Sequence, residues 1–189
     1  MAQEPDIFRL QDAPQLGLTR GRLRGLMQRG EIERVGRGLY RRSGEITELD
    51  TVATVCARVP GAIVCLLSAL LIHGIGTQLP VEVWIALDRK ARKPRLDELP
   101  VRVVRFSGPM LRYGIETRRV QGVPIKLTSP ARTIVDCFRY RKKIGLDVAL
   151  EALKDALQRR RASVGEINRA AQICHISTVI KPYLEAAVA

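Results

Sequence analysis

Histidine is nearly absent from the 189-residue chain, which holds only His73 and His175. That count excludes a histidine-rich zinc site. The four cysteines, Cys56, Cys65, Cys137 and Cys174, stand far apart without CxxC spacing. A cysteine metal cage and a disulfide framework are thereby excluded, and buried reduced thiols are expected. Long apolar runs are missing too. The longest, Ala62 to Ile72, is far short of the roughly 20 residues that cross a bilayer. The first residues include Glu4 and Asp6 and no apolar segment behind a basic one, unlike a secretory signal. A cytoplasmic protein with no membrane partner is the expectation. The sequence motifs of common enzyme chemistries are also lacking: there is no glycine-rich phosphate loop, no HExxH and no GxSxG around Ser68. Ser68 and His73 have no acidic residue at a diagnostic position, so they read as packed helix residues and not as a nucleophile with its base. No catalytic residue, cofactor or metal ligand is expected.

Acidic residues are scarce relative to basic ones. Nineteen Asp and Glu face 32 Lys and Arg, a formal charge of +13, which points to a polyanion or an acidic protein as partner. Hydrophobic and charged residues, at 46% and 27%, are ordinary globular values, so disorder and a coiled-coil rod are excluded.

Residues 7 to 42 form an Arg- and Gly-rich unit. Leu10 to Leu16 is a short helical segment broken by Gly17, and Thr19 caps a second helix that runs to about Arg29, with Leu23, Leu26 and Met27 on its buried face. Gly30 stops it. Ile32 to Val35 and Leu39 to Arg41 are short strands around Gly36-Arg37-Gly38, a turn whose glycines can supply positive φ. Helix, turn, helix and basic hairpin describe a winged helix-turn-helix. Its usual first helix is missing or very short, and Ile7 to Arg9 can add a strand to the wing.

Ser43-Gly44-Glu45 marks a linker, dividing the chain into a DNA-binding domain at 1–44 and a core at 45–189. Thr47 and Asp50 make a capping box for a helix ended by Pro60-Gly61. Next come a strand at Ala62 to Cys65, a helix at Leu66 to His73, and strands at Val81 to Leu87, Val101 to Phe106, Ile115 to Val120 and Val123 to Leu127. From Ser129 and Pro130 the chain turns helical, with an amphipathic helix on Leu146, Leu150, Leu153 and Leu157 and further helices from Ser163 and Ser177. The fold class is α+β: a small winged helix, a mixed or antiparallel sheet, and C-terminal helices.

On the second N-terminal helix, Thr19, Arg20, Arg22, Arg24 and Gln28 lie at the end that would enter a major groove. Arginine reaches guanine bidentately and Gln pairs with adenine; Arg34, Arg37, Arg41 and Arg42 on the hairpin suit phosphates or the minor groove. The alternative for each is a solvated basic face. Lys142, Lys143, Lys154, Arg159, Arg160 and Arg161 form a basic helical surface that either meets an acidic protein or simply complements helix dipoles.

The run GLTRGRLRGLMQRGEIERVGRGLY (Gly17 to Tyr40), with Gly30, Ile32, Arg34, Gly38 and Tyr40 at its end, resembles the winged-helix motif of the AbiEi family of bacterial antitoxins. CLLSALLIHGI (Cys65 to Ile75) and GVPIKLTSPARTIVDCF (Gly122 to Phe138) look like two signature blocks of that family's core, and IGLDVALEAL and KPYLEA are similar to its helical end. The resemblance implies that the winged helix binds operator DNA and represses its own operon. It also implies that the remainder neutralises a cognate nucleotidyltransferase-like toxin, without enzymatic activity; the basic helical surface is the candidate toxin contact. The rivals are a ligand-responsive transcriptional regulator with no toxin and a nuclease-related protein. The same first two blocks occur in proteins that continue into a Vsr-like endonuclease, but after Phe138 this chain has helices and no strand-borne Asp followed by a Glu-x-Lys pair.

Overall fold

The computed structural model describes residues 6–96 and 98–188, and its elements follow the sequence pattern closely. The chain is α+β and divides into two compact units: the first runs to Pro60 and includes Arg118–Ile125, and the second comprises Gly61–Thr117 and the chain from Lys126 onward. The sequence places a boundary at residue 44; the units part instead at Pro60 and Gly61.

The first unit contains strand β1 (Ile7–Arg9), a 3-10 turn at Ala13–Leu16, helix α1 (Arg20–Gln28), strands β2 (Ile32–Gly36) and β3 (Leu39–Arg42), and helix α2 (Glu48–Arg58). Of the short helical segment expected at Leu10 to Leu16, only this 3-10 turn forms, because Pro14 withholds a donor and Gly17 closes the turn at φ 67°. Thr19 caps α1, its Oγ1 accepting from the Arg22 amide at 3.2 Å. The three strands pair antiparallel in the order β1-β3-β2, so Ile7 to Arg9 does extend the wing sheet. In the Arg37-Gly38 turn only Gly38 has positive φ (65°); Gly36 ends β2 beside a bulge. Phe8, Ala13, Leu23 and Ile32 make the small core, with Leu16, Leu18, Leu26 and Tyr40 packed on it. Phe8 and Tyr40, opposite each other in the register, stack with centroids 5.9 Å apart. Helix α2 starts at the expected Thr47–Asp50 capping box. It packs against β1, and Arg9 donates to the Ala57 carbonyl. A helix thus follows the wing within this unit.

The second unit is built on a five-stranded sheet of order β6-β5-β4-β8-β7, where β4 is Ile63–Val64, β5 Val83–Asp88, β6 Val101–Phe106, β7 Ile115–Val120 and β8 Val123–Thr128, save that Arg118–Ile125, the end of β7 and the start of β8, falls in the first unit. The sheet is mixed: β4 runs antiparallel to β5 and parallel to β8, and β5 runs parallel to β6. Gln121 and Gly122, both at positive φ (49° and 82°), turn β7 into β8 as a two-residue hairpin requires. Helices α3 (Leu66–His73), α4 (Pro130–Arg139), α5 (Arg141–Ile144), α6 (Leu146–Gln158), α7 (Val164–Ile173) and α8 (Ser177–Val188) complete it.

Helix α4 is the centre of the second unit, packed against α3, α6, α7 and α8. Its residues from Arg132 to Phe138 are all buried. Ser129 occupies the N-cap position but its side chain makes no cap bond. Thr133 Oγ1 instead donates to the Ser129 carbonyl at 2.9 Å. Phe106, Phe138, Ile134, Leu153, Ile167 and Ile180, each fully buried, form the middle of the core. The four cysteines are free and buried, as expected, and desolvation pushes the Cys56 thiol up to about 12. Trp84 lies buried on β5. Among the described residues no helix is long and apolar enough to cross a membrane.

Candidate nucleic-acid interface

The 3.6-residue repeat of α1 decides which side chains it presents. Leu23 is buried and Leu26 half-buried against the small core, which turns the helix's other side outward. Gly21, Gly25 and Gln28 occupy the middle of that outer side. Arg20 and Arg24, four residues apart, flank it on one edge and Arg22 on the other. Arg20, Arg22, Arg24 and Gln28 are all exposed. The glycines add no bulk, since a Cβ at Gly21 would have nothing within 4 Å.

The wing brings a second set of cations. Arg37 is exposed in the turn, and its neighbour Gly38 accepts from the Leu10 amide at 2.8 Å, which fixes the tip beside the 3-10 turn. A cleft of about 750 Å³ opens there, lined by Arg9, Gln11, Thr19, Arg20, Arg37 and Gly38 among others. The amino end of α1 and two exposed guanidinium groups face one space, an arrangement suited to an anion. Arg34 and Arg42 are exposed on β2 and β3; Arg34 Nε donates to the Gly36 carbonyl at 3.1 Å.

Arg41 is placed differently. It is 8% exposed, and its guanidinium is held by Glu33, its partner in the strand register, with Nε to Oε1 at 2.9 Å. Strand alternation explains this: Arg42 points outward while Arg41 lies along the sheet face with Leu39. The sequence treated the two arginines alike.

The six basic residues of the helical region lie on different elements. Lys142 and Lys143 lie on α5, before α6, while Lys154 is on α6 and Arg159 to Arg161 follow it. The 13 residues of α6 set Arg159 about 20 Å beyond the helix's first residue along its axis, with Lys154 on the helix between. All six are exposed, and Arg159 pairs with Asp155 at 2.7 Å. Lys143 belongs with Lys93, Arg102 and Arg105, which line a groove of about 520 Å³. Sequence reading passed over Lys93, Arg102 and Arg105, although the signal was present: Arg89, Lys90, Arg92, Lys93 and Arg95 fall within seven residues.

Ser68 and His73 are buried and engaged by different partners. Ser68 Oγ accepts from the Trp84 amide at 2.9 Å, and His73 Nε2 contacts the Thr128 carbonyl at 2.7 Å. At the strand-to-helix turn between β4 and α3 the residue with positive φ is Leu66, aliphatic and fully buried. An α/β-hydrolase carries its nucleophile in such a turn. Among the described residues no three His, Cys, Asp or Glu side chains cluster as a metal site requires.

Residues 2–43 match the family described as transcriptional regulator, AbiEi antitoxin. The resemblance read from the motif between Gly17 and Tyr40 therefore holds for this segment. The sequence matches no curated protein. Among solved structures, the crystal structure of the RV2827C protein from Mycobacterium tuberculosis is similar, with a TM-score of 0.55 and 18% identity, covering 98% of this chain and 76% of that one. The fold over nearly the whole length is thus one seen in a solved structure.

Proposed function

We propose that the protein is a cytoplasmic, DNA-binding antitoxin and autorepressor: the winged helix reads its own promoter, and the remainder neutralises a cognate nucleotidyltransferase-like toxin without catalysis. The observation that carries the first half is the outer side of α1. It offers Arg20, Arg22, Arg24 and Gln28, all exposed, beside a wing turn that offers Arg37, on a segment that matches an antitoxin and regulator family. Arg and Gln side chains at these positions supply base-edge contacts, and Arg34, Arg37 and Arg42 supply phosphate contacts. Arg41, committed to Glu33, is outside this reading.

A mobility-shift titration on the promoter upstream of the gene tests it. Replacing Arg20, Arg22 and Arg24 by Ala removes specific binding, since each good base contact is worth about 1–3 kcal/mol. Arg37→Ala weakens binding to every sequence and lowers the salt slope by roughly 1. Equal promoter affinity for the wild type and the triple variant refutes the reading.

For the toxin, the surface we assign is Lys154 with Arg159, Arg160 and Arg161 at the far end of α6. Cations there would speed and orient association with an acidic patch, while apolar contacts supply most of the affinity. Arg159, Arg160 and Arg161 exchanged for Glu should abolish growth rescue when co-expressed with the neighbouring toxin gene; undiminished rescue removes these residues from the interface.

A further inference from the structure

Cations at the far end of α6 can steer a partner, but a lasting protein interface is anchored by apolar side chains. The loop from α3 to β5 carries two. Leu79 is 59% exposed and Val81 90%, the most exposed large hydrophobic side chain among the described residues. Single aliphatic side chains on a surface are ordinary. Here two of them flank Pro80, whose ring fixes φ, on a loop tied down along its length. Ile75 is buried in the core and donates to the Leu70 carbonyl at 3.0 Å, and the Val83 amide donates to the Pro100 carbonyl at 2.7 Å. Between these ends the Gly76 amide donates to Asp155 Oδ2 at 2.9 Å. Thr77 donates to Glu151 Oε1 from its amide at 2.9 Å and from its hydroxyl at 2.7 Å. Leu79 and Val81 are therefore presented from a fixed backbone, and little chain entropy is lost when a partner covers them.

The same bonds set the apolar tip beside the cations. Glu151, Asp155 and Arg159 follow one another at four-residue spacing on one side of α6. The first two hold the loop, and Arg159 Nη1 donates to the Gly74 carbonyl at 3.5 Å. Leu79 stands two residues beyond Thr77, hence within about 7 Å of that anchor. Both carboxylates of this stretch are engaged, Glu151 by Thr77 and Asp155 by Gly76 and by Arg159 at 2.7 Å. Lys154, Arg160 and Arg161, all exposed, make no ion pair among the described residues. The turn that ends α6 fixes the last two. Their amides donate to the Leu157 and Ala156 carbonyls at 3.2 and 2.8 Å, and Arg160 takes the left-handed position at φ 53°.

An occupant must offer an apolar socket to Leu79 and Val81 and carboxylates to the cations around them. The backbone of a nucleic-acid duplex presents phosphate and sugar and has no such socket. Lipid surfaces are gripped by aromatic rings or by a long apolar helix face, and residues 76–82 include no Trp, Tyr or Phe. A second copy of this chain would set these cations against their own kind. A protein with an acidic rim around an apolar pocket meets both demands. We infer that Leu79 and Val81 are the apolar anchors that hold the toxin, with Lys154, Arg160 and Arg161 facing its acidic rim. The inference rests on the toxin reading proposed above and adds to it the contact that sets the lifetime of the complex.

The test measures binding kinetics of the full chain on the purified product of the neighbouring toxin gene, alongside growth rescue on co-expression. Leu79→Ser with Val81→Ser should leave the unfolding midpoint unchanged, because both side chains are exposed. It should raise Kd about tenfold or more through faster dissociation, with the association rate and its salt dependence as in the wild type. Arg160→Glu with Arg161→Glu should show the opposite signature, slower association with a weaker dependence on salt. Leu146→Ser, which alters an exposed leucine at the other end of α6, should change neither rate. Equal Kd for the wild type and the Leu79, Val81 variant overturns the inference and leaves the toxin reading standing, as does an equal loss in the Leu146 control. Rescue by the wild type without measurable binding also overturns the inference alone. A wild type that neither binds nor rescues overturns the toxin reading and the inference with it. Co-sedimentation with vesicles of anionic phospholipid, abolished by the same two substitutions, overturns the assignment to a protein partner.

Discussion

Arg132 and Asp136, one turn apart on α4, face each other with both side chains fully removed from solvent, Nε lying 3.0 Å from each carboxylate oxygen. The rest of the guanidinium is nearly used up. Nη1 donates to the Met110 and Tyr113 carbonyls at 3.2 and 2.7 Å, and the group lies 4.9 Å from the Phe106 ring centroid. Only Nη2 has no hydrogen-bond partner among the described residues. Gly114 makes room for this arrangement: a Cβ there would come within 2.8 Å of Arg132 Cβ. One arginine thus ties α4 to the 3-10 turn at Gly108–Leu111 and to the sheet face. Arg132→Met removes the partner of a buried carboxylate and strands two carbonyls. It should cost about 3–5 kcal/mol, read by urea unfolding through Trp84, the single tryptophan and a reporter for this unit. A loss below about 1 kcal/mol would reduce the pair to an ordinary surface contact.

The same pair sets a pH dependence of unusual sign. Desolvation outweighs the pull of Arg132 and pushes the Asp136 carboxyl from its ordinary 3.8 up to about 6. Between those two values the folded state binds more protons than the unfolded chain, so the contribution of Asp136 is fully present below pH 3.8 and declines as pH rises through about 6. Asp136→Asn lacks this titration. The stability of the wild type relative to Asp136→Asn should therefore fall by on the order of 2 kcal/mol between about pH 4.5 and about pH 7.5. A relative stability that climbs over that range would assign the carboxyl a depressed pKa instead.

The elements were legible where a local signal decides them. Thr19 as a cap, the Thr47–Asp50 capping box and the helix start at Ser163 are legible because each depends on residues within a few positions. The short 3-10 turn at Ala13–Leu16 was overestimated as a helix since apolar spacing does not register the missing Pro14 donor. Tertiary facts were not legible. Nothing in the pattern of Arg41 and Arg42 says that one turns inward to Glu33, and nothing near Lys143 announces β6, whose Arg105 is 38 positions away. The placement of α2 in the first unit likewise depends on the long-range bond from Arg9 to Ala57.

Gly38 tests the wing. Its φ of 65° is one that L side chains rarely adopt, whereas the space around it is open, with the nearest heavy atom, Leu10 Cβ, 3.9 Å from an added Cβ. Any penalty is therefore backbone strain and not collision. Gly38→Val should cost about 1–3 kcal/mol locally, leave Trp84 emission unchanged, and weaken binding to duplexes of every sequence. DNA affinity and unfolding both equal to the wild type would count against the turn.

The partition into units predicts how the chain behaves when cut. Ser43 to Ile46 is exposed, and a protease site placed between Ser43 and Glu45 should be cleaved readily. The pieces should nevertheless stay together, because α2 lies on β1 and the Ile7 amide donates to the Gln121 carbonyl at 3.2 Å, both within the first unit. Co-elution in native size-exclusion chromatography, with separation in urea, is the expected result. Fragments that part in native buffer would mean that the unit ends at the linker and that α2 contributes nothing to it.

Gly21 separates stability from binding on α1 more sharply than the arginines do. A glycine inside a helix costs roughly 0.5–1 kcal/mol relative to alanine, and here nothing in the fold demands it: its φ lies outside the left-handed region and a Cβ would meet no atom within 4 Å. It leaves a bare patch of backbone on the outer side of the helix, between Arg20 and Arg24 on one edge and Arg22 on the other, next to Gly25, where the Arg29 guanidinium lies 3.3 Å from the place of a Cβ. If this side enters a groove, the patch lets the helix approach closely enough for those arginines to reach base edges, and a side chain there would hold it off. Gly21→Leu should then raise the melting temperature of the first unit, followed by circular dichroism, while lowering promoter affinity about tenfold or more, the loss of at least one base contact. A destabilised variant would show that the glycine is structural after all. A stabilised variant with undiminished affinity would show that DNA does not meet this side of α1, and would redirect the search to the wing and the cleft beside Arg37.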